Sequence, residues 1–311
     1  MEISILLVEQ IVQLFLMILL GWVLGRARIV DRAGSRALSQ VVLYGVMPCV
    51  TLNAFQKEVT PQAVQGLLFA GAAAVLAHLV MALVTAAGRY IFKLNSMEQC
   101  SVFYSNAGNL ILPIVGYVLG QEWLLYAFAF IVVQQLVLWT HGKSAMSQSK
   151  SFCWQDLVKN VNLIAVAISL LLFVLGIRLP SLISQTATSI GALFAPMSMI
   201  VTGVLLSTMD LKQVFGTGRV YLVSALRLMV CPVLTILAMK AIGMAGWVEN
   251  GSMLLLVVLF ATMTPAASTI VQMAQVYDNQ PQEASKINVM TTLLCIITMP
   301  LMVFLYQYLM G

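Results

Sequence analysis

Two stretches of this chain set hydrogen-bonding side chains beside proline in apolar surroundings. SNAGNLILPIVG, residues 105–116, holds Asn106, Asn109 and Pro113. ATMTPAASTIVQ, residues 261–272, holds Thr264, Pro265, Ser268 and Gln272. A proline inside a helix removes one backbone donor, and its ring clashes with the preceding turn. Amides and hydroxyls beside such a break can satisfy the freed backbone, or can offer neutral donors and acceptors to a ligand. The new half-helix N-terminus presents free N–H groups and partial positive charge, which suits an anion. Neutral groups also let a ligand leave again, so this chemistry fits carriage better than catalysis.

The elements that must position these residues are helices in a bilayer. Of 311 residues, 61% are hydrophobic and 9% charged, against about 25% charged in a soluble domain. Such a chain cannot cover a water-facing surface. Ten apolar stretches approach the roughly 20 residues needed to cross hydrocarbon as a helix: 3–25, 37–55, 63–87, 99–119, 122–142, 158–178, 182–208, 220–243, 250–275 and 284–309. A membrane barrel would show short alternating strands instead. The expected fold class is an all-α polytopic membrane protein with ten transmembrane helices. The N-terminal stretch lacks a basic start and a small-residue cleavage site, so it reads as a retained first helix.

Basic loop residues set orientation. Twelve of the sixteen Lys and Arg fall in loops on one side, among them Arg26, Arg28, Arg32 and Arg36. Lys57, Arg178 and Lys240 fall on the other, and Arg227 lies within the eighth stretch. The expectation is a cytoplasmic first loop with both termini outside. The net charge of +5 is thus a topology signal. No basic face with interleaved aromatics points to nucleic acid.

An even number of helices with termini on one side suggests five plus five, two halves of opposite orientation. The expected division is 1–142 for helices 1–5, a linker at 143–157, and 158–311 for helices 6–10. Pro48 then pairs with Pro196, and Pro113 with Pro265, at nearly equal separations. A lone membrane proline is usually a tolerated kink. A matched pair flanked by small and polar residues points to a binding site near the midplane.

Other polar residues in apolar stretches are weighed one by one. Arg227 is a functional candidate by default, though it could equally hold a neighbouring helix. His78 could carry a proton, though a lone helical His is more often a hydrogen-bonded packing residue. Gln135 is the expected support residue among Gln134, Gln135 and His141. Gln272 and Gln275 follow the second break and could line an exit path. Cys49, Cys100, Cys153, Cys231 and Cys295 have no metal-ligand spacing.

The pattern Asn106–x6–Pro113, the VQQLVLW segment with Gln135 and Trp139, VVLYGVMPCVTL near Pro48, and residues 263–301 together resemble the auxin efflux carrier family. The resemblance spans nearly the whole chain. It implies a fold related to the bile acid:sodium symporters, with the fourth and ninth helices crossing at their breaks. It also implies a scaffold of helices 1, 2, 6 and 7, a moving core of helices 3–5 and 8–10, elevator-type exchange, and a homodimer. Its cargo would be small carboxylates such as malate, malonate or auxin-like acids, with Asn106 at the carboxylate. The short loop at 143–160, where plant exporters carry a long one, implies a compact bacterial member of the inner membrane.

The expected function is therefore secondary transport of small organic anions. The substrate-binding set is Asn106, Asn109, Pro113, Thr264, Pro265, Ser268 and Gln135, with Arg227, His78 and Gln272 on the pathway or in coupling. No cofactor and no metal are expected. Sodium coupling would call for acidic oxygen ligands at the breaks, and none is present there. A ligand sensor without flux is the other alternative. An enzyme is disfavoured, since neither HExxH nor GxSxG occurs, and no phosphate-cradling GxxxxGK[ST] loop supports ATP-driven transport.

Overall fold

The computed structural model describes residues 2–54, 56, 60–147, 159–208 and 215–310, without the side chains of residues 2–11, 54, 109, 112, 113, 117 and 121. Every regular element among them is helical, apart from one isolated antiparallel bridge, Ser105 to Ala266. Five helical runs are long and apolar enough to cross a membrane: Pro61–Phe92, Leu124–Ser147, Ser181–Ser207, Gly218–Ala241 and Pro281–Met310. Three shorter apolar helices accompany them, Val12–Arg26, Val161–Val174 and Gly251–Met263.

Helix α1 (Glu2–Arg26) lies along α11 (Phe194–Ser207). Glycine permits the closeness: a Cβ on Gly203 would strike the Ile18 carbonyl, and one on Gly21 the Ile200 carbonyl. Small residues let membrane helices approach in this way. After Arg26 the chain turns into α2 (Arg32–Val41), whose N-cap Asp31 accepts from Gly34 N at 2.7 Å. A π-turn at Val42–Val46 leads into α3 (Met47–Ala54). A second π-turn, Leu226–Val230, joins α12 (Gly218–Ala225) to α13 (Cys231–Ala241). Each ends two residues before a proline, Pro48 or Pro232. The proline ring cannot accommodate the carbonyl one turn back, so the ladder widens there and the helix continues. A third π-turn, Leu138–Gly142, joins α7 (Leu124–Val137) to α8 (Lys143–Ser147) without a proline.

Helix α4 (Pro61–Phe92) starts with Thr60 as N-cap and Pro61 in its first turn, the position where proline's missing donor costs least. A capping box of Asn95 and Glu98 opens α5 (Ser96–Phe103). The chain re-enters helix as α6 (Ala107–Val118). Helices α9 (Val161–Val174) and α10 (Ser181–Gly191) pack against α3. The later pair of half-helices is α14 (Gly251–Met263) and α15 (Ser268–Val276), followed by the long α16 (Pro281–Met310).

Both breaks fall inside the expected stretches, but the first is displaced. It lies at Tyr104–Asn106, and α6 runs on through Pro113. The second break contains Pro265 itself. Pairing between the two segments holds the first break in place, and one lost bond at Pro113 does not open a helix packed on both sides. The side chains of Asn109 and Pro113 lie outside the described ones. Of the expected linker 143–157, Lys143–Ser147 continue as helix. Residues 148–158 lie outside the described residues, as do Lys57 and Lys212.

Two ends of the molecule are recognisable from their bonds. At one, Arg219 Nε and Nη2 grip Glu98 at 2.6 and 2.9 Å, while Arg219 also binds the carbonyls of Phe92 and Lys93. Arg32 pairs there with Asp278, and Asn95 Nδ2 donates to Gln280. At the opposite end Lys240 Nζ donates to Leu309 O at 2.7 Å. Large apolar side chains such as Leu68, Leu83, Leu182 and Ile297 point outward from the helices. That pattern is wrong for water and right for lipid.

Candidate functional site at the crossing of two broken helices

The segments 104–106 and 264–267 run antiparallel and exchange backbone bonds. Asn106 N donates to Pro265 O, and Ala267 N donates to Tyr104 O, both at 2.9 Å. This small bridge satisfies backbone groups that would cost several kcal/mol each if they faced hydrocarbon. The crossing is almost sealed: Ser105, Asn106, Thr264 and Ser268 are all buried.

Side chains from three further helices complete it. Gln134 on α7 accepts at Oε1 from Ser105 N (3.0 Å) and Ser105 Oγ (2.7 Å), and its Nε2 donates to Ser105 O (2.9 Å). On α16, Asn288 Nδ2 donates to Ala266 O at 2.7 Å, and Thr291 Oγ1 accepts from Ala266 N at 3.1 Å. Arg227, in the π-turn between α12 and α13, is fully buried. Its Nη1 donates to Val102 O at 3.1 Å, its Nη2 to Thr262 O at 2.8 Å, and its Nε to Thr264 O at 3.2 Å. Met81 Sδ receives a further contact at 3.1 Å.

The electrostatic arrangement follows. Helices α5 and α14 both end at the crossing, carbonyls first, where their dipoles are negative. The Arg227 cation sits on those carbonyls. Helices α6 and α15 both begin at the crossing, with first-turn N–H groups that have no partner within their own helix. Asn106 is the residue before α6, and Ser268 opens α15. Ser268 Oγ donates to Asn106 Oδ1 at 3.2 Å. The negative ends are neutralised, and the positive ends meet two neutral side chains.

The expected site residues divide accordingly. Asn106, Pro265 and Ser268 meet at the crossing. Thr264 is there too, but its hydroxyl donates to Ala261 O at 2.9 Å. It caps α14 and offers no free donor. Gln134, the neighbour of Gln135, holds the first break through Ser105. Gln135 Oε1 accepts from Trp139 Nε1 at 2.9 Å. It lines a cavity of about 20 Å³ with Thr51, Gly108, Phe128, Ile131 and Phe194, space for one water. His78 packs on Phe130 with ring centroids 4.5 Å apart, and its Nδ1 lies 2.7 Å from Ala74 O. Gln272 is fully buried, and neither amide atom finds a hydrogen-bond partner among the described residues.

Sequence reasoning passed over Gln134, Asn288 and Thr291. The signal for the last two was present, since Asn288 and Thr291 stand one turn apart in an apolar stretch.

No curated protein matches the chain. The family model described as membrane transport protein matches residues 6–303, nearly the whole chain. A bilayer-length set of apolar helices, two of them broken and bridged around a buried arginine, accords with that match. The chain belongs to the membrane transport protein family, that of the auxin efflux carriers.

Proposed function

We propose that this protein carries small organic anions, carboxylates, across the membrane as a secondary transporter, with its site at the crossing. The observation that carries the reading is the division of charge there. Arg227 covers the carbonyl ends of α5 and α14, whereas the N–H ends of α6 and α15 carry no such cation and would draw a carboxylate, with Asn106 and Ser268, bonded to each other here, exchanging partners to meet it. A carboxylate held by helix N-termini and neutral side chains needs no buried cation of its own.

The reading includes ten spans in two inverted five-helix halves, 1–142 and 158–311, with the first-loop side cytoplasmic in a bacterial inner membrane. It also includes a division into two bodies. Support comes from the packing: α1 lies on α11 and α3 on α9 and α10, whereas α4 packs against α7, α13 and α14. The first set corresponds to a scaffold and the second to a core. The Gln135 cavity lies between them and is too small for a carboxylic acid. Binding therefore requires the core to shift against α3 and α11, as elevator-type alternating access would do. A homodimer would form through the scaffold.

The test is current from proteoliposomes on a solid-supported membrane, challenged with malate, malonate and indole-3-acetate. Asn106→Ala is run beside the wild type. An acid-dependent current that falls about tenfold in the variant, the worth of one good hydrogen bond to a charged group, supports the reading. Replacing sodium by potassium in the same assay tests sodium coupling. Binding without current or counterflow of labelled acid would favour a sensor.

A further inference from the structure

The α2 surface at the basic end is bound to the tail of α15 by groups that the crossing does not use. Arg32 Nη2 meets Asp278 Oδ1 at 2.6 Å, and both side chains are 64% exposed. Arg36 Nη2 donates to Val276 O, the carbonyl end of α15, at 2.5 Å. Gln275 Nε2 donates to Arg32 O at 3.3 Å. Tyr44 and Tyr277 touch through their hydroxyls at 3.4 Å. These bonds join an element of the scaffold to an element of the core.

Behind them lies a buried polar seam. Ser268, Gln272 and Gln275 share one face of α15, spaced four and three residues apart. Ser268 is bonded to Asn106 at the crossing, and Gln275 reaches Arg32 at the mouth. Between them, both amide atoms of Gln272 are buried without a partner among the described residues. So are Gln275 Oε1 and, on α2 between Arg32 and Arg36, the hydroxyl of Ser35. Orphaned polar groups in a packed interior are costly. Their alignment between the mouth and the crossing points to a ligand that wets or fills the seam in another state.

We propose that Arg32 and Arg36 are a receiving site for carboxylate anions at the basic mouth, with Asp278 as the resident carboxylate that the arriving anion displaces. The inference rests on the anion-carrier reading above. An exposed ion pair is weakly held, and an incoming carboxylate can make the same charge-assisted bonds to either guanidinium. An anion that takes both guanidiniums releases Asp278 and Val276 O, which loosens the end of α15 from α2 and opens the seam past Gln275 and Gln272. The internal carboxylate thus keeps this end shut until a suitable anion competes for Arg32.

The experiment measures cysteine reactivity, which requires no transported acid. Cys49 and Cys153 are replaced by serine, and Gln272→Cys is introduced in inside-out vesicles. The probes are the anionic sulfonatoethyl and the cationic trimethylammonioethyl methanethiosulfonates. Asp278→Asn should raise the anionic probe's rate about threefold, the scale of a lost surface pair. Arg32→Gln with Arg36→Gln should cut the anionic-to-cationic rate ratio about tenfold, the low end of electrostatic steering. Malonate should raise the cationic probe's rate by opening the seam, and chloride at equal ionic strength should not. A rate indifferent to Asp278→Asn, a ratio indifferent to the arginines, or an equal effect of chloride and malonate on the cationic probe would overturn the site. If Gln272→Cys does not fold, Ser35→Cys reads the same seam. Reactivity that responds as expected while every acid gives no current would keep this site and remove the cargo reading. The converse would remove the site alone.

Discussion

The Arg227 guanidinium donates to Thr264 O at 3.2 Å through Nε while its Nη1 reaches Val102 O at 3.1 Å. One side chain therefore joins the carbonyl ends of two half-helices that are far apart in sequence. The cation is held by carbonyl dipoles, and among the described residues no carboxylate faces it. Arg227→Gln would leave several buried carbonyls short of donors, each worth about 1–3 kcal/mol. The expected outcome is a fall in melting temperature in detergent, with folded yield sharply reduced. Arg227→Lys, which keeps the charge and loses the fork, should fall between. A glutamine variant that melts with the wild type would remove Arg227 from this role.

Gln134 and Gln135 are neighbours with different duties. Gln134 makes three bonds to Ser105, and Gln135 faces the cavity beside Gly108. Gln134→Leu should destabilise by about 2 kcal/mol or more, because Ser105 N and O lose their partners. Gln135→Leu should leave the melting temperature nearly unchanged and alter the KM of any transported acid. Thermal melts of both variants, with transport of the second, check the division. Equal destabilisation of the two would contradict it.

These adjacent amides show where reading the sequence stops. Neighbouring residues on a helix point about 100° apart, so choosing between them needs the rotation of α7, which only packing sets. The break before Asn106 was hidden for a related reason. Proline marked the right stretch, but strand-like pairing with 264–267 decides where the helix opens. Arg227 stood out as a cation in an apolar stretch, yet its reach to Val102 and Thr262 depends on the π-turn at Leu226–Val230. The helical class and its apolar stretches were legible because hydrocarbon thickness imposes a length. The family resemblance was legible because its motifs keep their order along the chain.

Close approach of α1 and α11 should be as sensitive to one methyl group as a soluble core. Gly203→Ala places a Cβ against the Ile18 carbonyl and the Trp22 amide. Both are backbone, so the helices must separate. Gly71→Ala in α4 is the control, since nothing lies within 4 Å of its Cβ. The first change should cost about 1–3 kcal/mol, the range for overpacking, and the second should be neutral or slightly stabilising. Melting curves distinguish the cases, and matching losses would indicate a general intolerance of side chains in these helices.

His78 is placed for packing. Its ring sits 4.5 Å from that of Phe130 and 5.8 Å from that of Phe103, and its Nδ1 lies 2.7 Å from Ala74 O one turn back. A side chain bonded to its own helix and walled by two aromatic rings has no route to water within these contacts. Proton carriage requires a group that water reaches in at least one state. His78→Gln should therefore keep the shape of any pH profile of transport between about pH 5.5 and about pH 8, the range over which an unperturbed histidine titrates. A modest loss of stability should accompany it, because a flexible amide replaces a ring in an aromatic contact. If the profile instead flattened in His78→Gln while folded yield stayed unchanged, the histidine would be a coupling residue, and the core would have to open to water beside α4.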